Sequence, residues 1–267
     1  MTTLSISKHH GLGNDFLVAF EPAVDDLAEL ARRLCDRRRG VGADGLLVAE
    51  PHDGYAARMT LYNADGSRAE MSGNGIRCFA QALAARRGDL SDQLILTDAG
   101  DRLVQLVATD DPATVSARVE MGEVSILAEP HGWHALGCHP DRPVAHLSLG
   151  NPHSVVGVDE VGAVDLAHLG GQVPHVNLEI IEPGPEPNAV TMRVHERGAG
   201  ITEACGTGAC AAAYAARSWG LVARGDGEVI VHMDGGTATV SFAPDAPEQA
   251  VLTGPATHVA TISIEVP

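Results

Sequence analysis

A cysteine and a serine each open a glycine-spaced tetrapeptide, Cys205-Gly206-Thr207-Gly208 and Ser72-Gly73-Asn74-Gly75. The cysteine stretch follows a β-type run and starts a helical pattern, so its first backbone N–H groups have no intrahelical partners, and the glycines let a ligand come close. Such a helix start can bind a carboxylate and favours a thiolate over a thiol. Glu203 and the two glycines make the position a poor one for core packing. Ser72, on spacing alone, reads as a helix N-cap, because Met71 precedes it and no GxSxG surrounds it. Asn63 belongs to a strong turn signal, Asn63-Ala64-Asp65-Gly66, while Asn14, Asn151 and Asn177 lie beside β-type runs. His153, Glu196 and Arg197 are ambiguous when taken singly.

The elements that must position these residues alternate. β-type runs recur at 4–7, 16–20, 46–49, 58–62, 94–97, 103–108 and 115–121, and again at 145–149, 154–158, 178–181, 190–195, 229–233, 238–242 and 260–266. Helical patterns cover about 25–38, 74–88 (with Gly88 as the stop), 164–169 and 207–218. The halves also repeat: residues 71–83 lie over 204–216, with Ser72 opposite Cys205, and 10–18 resemble 148–156, with Asn14 opposite Asn151. Two matches in the same order indicate duplication and two α/β domains facing one another across a cleft. Gly40-Val41-Gly42-Ala43-Asp44-Gly45 is a literal GxGxxG, but a helix precedes it and a strand follows. That polarity is the reverse of a dinucleotide site, so it reads as a helix-to-strand loop.

Composition narrows the chemistry. In a chain of 267 residues a formal charge of -17 argues against nucleic acid, whose phosphates need a basic face. Lys8 is the sole lysine, which leaves no interior amine for a pyridoxal Schiff base. Five cysteines with no CxxC pair fit neither a disulfide framework nor a common metal site. Without an apolar run of signal-peptide or membrane length, the expectation is a reduced, cytoplasmic protein with no membrane partner.

Taken together, HGLGNDF (10–16), GVGADG (40–45), NADGS (63–67), EMSGNGIRCFA (70–80), GNPHSV (150–155), ERGAG (196–200) and EACGTGACAA (203–212) resemble the diaminopimelate epimerase family in order and over nearly the whole chain. The resemblance, shared with proline racemases and phenazine-type isomerases, implies an α/β (α+β) fold. It implies two pseudo-symmetric domains, each a mixed or antiparallel sheet around a central helix, with the site in the cleft between them. The implied domains are 1–118 with 256–267, and 119–255.

It further implies an isomerase of cytoplasmic lysine and peptidoglycan-precursor synthesis, without cofactor or metal, acting on a small dicarboxylic diamino acid as a homodimer. Cys205 matches one catalytic cysteine, and Ser72 stands where the family has the other. His153 matches a histidine important for activity, and Glu196 a residue at the substrate amine. Gly73, Asn74, Gly206 and Thr207 match the amides holding the α-carboxylate, and Asn14, Asn63, Asn151, Asn177 and Arg197 match further substrate contacts. The family often has glutamine at the position of Gly45. Serine at 72 leaves three readings: an epimerase slowed by its alcohol, a one-base isomerase or dehydratase, or an amino-acid-binding protein without catalysis.

Overall fold

The structure, a computed structural model, describes residues 2–222 and 227–266. The chain packs as two compact units, Met1–Val119 with Gly254–Pro267, and Glu120–Thr253. Met1 and Pro267, the ends of the first expected domain, lie outside the described residues.

In the first unit, strands β1 (Thr2–Gly11) and β2 (Asn14–Phe20) form a hairpin, turned at Leu12 and Gly13 with φ of 56° and 86°. Helix α1 (Leu27–Cys35) carries the chain to β3 (Gly45–Glu50), which lies parallel to β2, as a crossover requires. The Asp26 carboxylate caps α1 by accepting from Glu29 N. The helix is shorter than its sequence pattern, because the Asp36 carboxylate accepts from the Arg38 and Arg39 amides and turns the chain three residues early. Strands β4 (Ala57–Asn63) and β5 (Arg68–Ala69) follow, then α2 (Gly73–Arg87), which ends at Gly88 in the left-handed conformation. Strands β6 (Gln93–Thr97), β7 (Gly100–Ala108) and β8 (Thr114–Glu123) complete the sequence.

The second unit repeats this order with β9 (Ser125–Ile126), β10 (Val144–Ser148), β11 (Pro152–Gly157), α3 (Leu166–Gln172), β12 (Asn177–Pro183), β13 (Ala189–Glu196), β14 (Gly200–Thr202), α4 (Gly206–Trp219), β15 (Val229–Met233) and β16 (Gly236–Ala243). The pairings repeat too. Parallel β2/β3 and β4/β6 recur as β11/β12 and β13/β15, and the short antiparallel β4/β5 recurs as β13/β14. Strand β17 (Ala246–Val266) pairs with β16 through its first part and with β1 through its last.

Each unit is built around one helix. Every residue of α2 from Gly73 to Ala84 is buried, and the helix packs on β1, β2, β4 and β7. Helix α4 is buried equally on all sides of its first turns and packs on β10 to β13, β15 and β16. A helix with no polar face belongs inside a sheet rather than upon it. The small side chains of Ala209, Ala211, Ala212 and Ala213 let strands close around α4, which offsets the scarcity of aromatic residues. The fold is therefore α+β with two pseudo-symmetric units, as expected. Among the described residues no helix is long and apolar enough to cross a membrane.

One buried histidine makes the first unit acid-sensitive. His9 is 1% exposed, its ring nitrogens lie 2.8 Å from Gln81 Oε1 and 2.9 Å from Ser7 Oγ, and burial lowers its pKa from 6.5 to about 4. The unfolded chain binds this proton near pH 6.5 and the folded chain only near 4, so between them protons favour unfolding. The contribution is complete above the higher value, and about 3 kcal/mol is lost as the pH falls to the lower one. Melting temperatures measured from pH 7 to pH 4 should fall more steeply for the parent than for His9→Gln.

Candidate active site

Ser72 caps α2 from extended backbone, φ -137° and ψ 122°, and its Oγ accepts from Gly75 N at 3.0 Å. Cys205 caps α4 in nearly the same conformation, φ -127° and ψ 115°, and Gly208 N donates to its Sγ at 3.3 Å. Both helix starts are thus built alike. The second residue of each helix is tied to an asparagine, Asn14 at the start of β2 in one unit and Asn151 just before β11 in the other. Asn74 Nδ2 donates to Asn14 Oδ1 at 3.1 Å, and Asn151 Nδ2 donates to Thr207 Oγ1 at 3.3 Å. The first-turn amides at Gly73 and Asn74, and at Gly206 and Thr207, are held at these starts.

In the first unit the GVGADG loop serves Asn14. Asp44 Oδ2 accepts from Asn14 Nδ2 at 2.7 Å and from Asp15 N at 3.0 Å. Arg37 joins Asp44 at 2.8 Å to Asp15 at 2.7 Å, and Lys8 Nζ sits 2.8 Å from Asp15. Burial opposes ionisation of Asp15, but hydrogen bonds from Arg37 and Lys8 outweigh it and hold the carboxyl below its ordinary value. The loop is therefore a helix-to-strand connection, as its polarity implies. A Cβ on Gly45 would lie 2.8 Å from Tyr62 O and 3.2 Å from the Phe16 ring, so no glutamine fits there in this backbone. Asn63 stays in its turn, with Nδ2 donating to Ser67 Oγ at 3.0 Å.

Behind the helix start lies Arg77, which is fully buried. It donates to Asn74 Oδ1 at 2.8 Å, to Gly73 O at 2.8 Å and to Pro255 O at 3.2 Å. A guanidinium buried this way locks the Asn74 amide and ties α2 to β17.

The second unit gathers His153, Asn151, Thr207 and Cys205. His153 Nε2 lies 3.0 Å from Asn151 Oδ1, and Thr207 Oγ1 lies 3.5 Å from Cys205 Sγ. Asn177 Oδ1 accepts from Arg197 N at 2.8 Å, which fixes the turn carrying Glu196 and Arg197. Glu196 Oε1 accepts from Thr202 Oγ1 at 2.5 Å, and the Arg197 side chain is exposed. The helix start alone would favour a thiolate at Cys205, but the balance falls the other way. Burial, then the carboxylates of Glu196 and Glu179, push this thiol well above its ordinary value, and the opposing bonds from Thr207 and Gly208 are weaker.

Sequence reasoning missed Glu179 and Arg77. Glu179 is the one charged residue within the apolar core of β12, and its carboxyl is 0% exposed, with Oε1 2.6 Å from His153 Nδ1. A carboxylate inside an apolar strand was the available signal. Arg77 stands equally alone between Ile76 and Cys78 on a helix buried all round.

Comparison with known proteins places the family and the fold. The diaminopimelate epimerase family model matches residues 6–127 and 146–259. The diaminopimelate epimerase of Desulfitobacterium hafniense is 38% identical over 279 residues, 96% of each chain. A PhzF-family phenazine biosynthesis protein from Bacillus anthracis shares the fold at TM-score 0.78 and 14% identity, covering 100% of both chains. A hydroxyproline epimerase from Agrobacterium vitis does so at TM-score 0.71 and 14% identity, covering 99% of this chain and 91% of its own. With a family match spanning both units, the chain belongs to the diaminopimelate epimerase family.

Proposed function

We propose that this isomerase inverts one α-carbon of LL-diaminopimelate to give the meso isomer, by proton transfer without a cofactor. The observation that supports this most is the pair of equivalent helix starts, Ser72 and Cys205, each with an asparagine at or just before a strand start tied to its first turn. In the proposed reaction the helix-start amides stabilise the negative charge that builds up on the α-carboxylate as the α-proton leaves. Donors of that kind contribute roughly 3–4 kcal/mol each elsewhere. Cys205, as a thiolate, takes the α-proton from one face and Ser72 gives its hydroxyl hydrogen to the other, after which exchange with solvent restores both groups. Glu196 takes the substrate ammonium, and Arg197 the distal carboxylate, which a substrate with one carboxylate would not need. Asn14, Asn63, Asn151 and Asn177 complete the contacts, and His153 supports Cys205. The same reading makes the protein a cytoplasmic homodimer serving lysine and peptidoglycan-precursor synthesis.

The test is direct. LL-diaminopimelate incubated with the protein should yield the meso isomer by chiral chromatography, while lysine should not be inverted. No conversion at high enzyme concentration, or equal action on lysine, would refute the proposal.

A further inference from the structure

Glu179 is expensive where it stands. Its carboxyl is 0% exposed, and among the described residues Oε2 has no hydrogen-bond partner. A Cβ on Gly208 would lie 2.7 Å from Glu179 Oε1 and 3.2 Å from Cys205 Sγ, which places the carboxyl directly beneath the cysteine's helix start. Burial of that kind opposes the carboxylate form, and here it raises the Glu179 pKa against the pull of His153.

The first unit shows that the architecture does not need it. Phe16 and Gly45 pair in register as His153 and Asn177 do, so Phe16 is the counterpart of His153 and Leu47 that of Glu179. Both counterparts are buried, and a Cβ on Gly75 would meet Leu47 Cδ2 at 3.4 Å, as one on Gly208 meets Glu179. An apolar pair therefore fills the same place beneath Ser72. The ionisable pair beneath Cys205 has some other use.

The donor and acceptor roles of its neighbours indicate that use. Asn151 turns Oδ1, an acceptor, towards His153 Nε2, so that nitrogen must carry hydrogen. The Nδ1 to Oε1 line, 2.6 Å long, then holds one proton between imidazole and carboxyl, and the pair is neutral overall wherever that proton sits. Asn151 Nδ2 donates to Thr207 Oγ1, which leaves the Thr207 hydroxyl hydrogen free to point at Cys205 Sγ. Every donor in the chain is aimed towards the sulfur.

We propose that Glu179 is a positioning residue that holds His153 as an Nε2–H donor, and through Asn151 and Thr207 aims a hydroxyl hydrogen at Cys205 Sγ. The role rests on the proposed function only in taking Cys205 as the reacting thiol. Without the carboxyl, a neutral imidazole can keep its proton on Nδ1 and present a bare Nε2. Asn151 must then flip its amide towards that lone pair, and Thr207 must donate to Asn151 instead of sulfur.

Nitrogen-15 NMR of histidine-labelled protein at neutral pH tests this without any substrate, with the His153 signals identified by their loss in His153→Gln. The expected result is a protonated Nε2 with a proton shared at Nδ1, and loss of the shared-proton signature in Glu179→Gln. A bare Nε2 in the parent, or signals unmoved by Glu179→Gln, would overturn the assignment. Because no turnover is read, this outcome is separate from whether diaminopimelate is the substrate.

Kinetics add a second readout. Glu179→Gln should lower kcat on the order of 10²-fold with little change in KM, as misplaced reacting groups do. The double variant His153→Phe/Glu179→Leu copies the first unit's pair, so it should regain the melting temperature that Glu179→Leu alone loses. Recovery of kcat along with stability would reduce Glu179 to a packing residue and overturn the proposal.

Discussion

Ser72→Cys is expected to raise the rate of α-carbon inversion by about 10²- to 10⁴-fold, the range that a positioned general acid or base supplies. An alcohol releases its proton far less readily than a thiol, whose pKa is about 8.5 when unperturbed. At neutral pH Ser72 is therefore a poor base, and when it gives up its proton it leaves a costly alkoxide. A sulfur fits the place, since Cys205 caps α4 from the same extended backbone and accepts the same bond from the amide three residues on. Steady-state conversion of LL-diaminopimelate by the variant and its parent measures the gain. A gain below about tenfold, roughly 1.4 kcal/mol, would mean that residue 72 does not limit the reaction.

Cys205→Ala should have the opposite effect, a loss of about 10³-fold or more in deuterium uptake at the substrate α-carbon. The loss should be as large when Ser72→Cys is also present, because groups that act as a unit are not additive. Structural damage is not the cause. Removing the capping sulfur costs only about 1 kcal/mol, so the melting temperature should move by a few degrees while exchange collapses. Exchange retained within tenfold of the parent would assign the chemistry to another group.

Much of this was legible from the sequence, and what was not has physical reasons. The glycine stop of α2 was legible, because Gly88 adopts the left-handed conformation that ends a helix, and in the structure Gly220 ends α4 in the same way. Helix α1 reads too long, since nothing in Asp36-Arg37-Arg38-Arg39 announces that the aspartate will bond its own neighbours' amides. Only the end of β17 shows as a strand. Pro247, Gly254 and Pro255 interrupt its pattern, yet the strand runs on through them from Ala246 to Val266. Strands β5, β9 and β14, of two or three residues, are too short for any alternation to register.

The site was legible wherever local motifs carry it, as at Ser72, Cys205, Asn14 and Asn151. Its supports were not. Arg77 reaches Pro255 across 178 positions, and Glu179 meets His153 across 26. Local spacing says nothing about such partners, although a lone charge in an apolar run does say that one must exist.

Residues 72 and 205 are proposed to act on the same α-carbon, and solvent-deuterium incorporation tests that most directly. In deuterium oxide, Ser72→Cys should convert LL-diaminopimelate to meso product carrying one deuterium at the inverted carbon, and neither Ser72→Ala nor Cys205→Ala should do so. Inversion without deuterium incorporation, or inversion retained in either alanine variant, would contradict it.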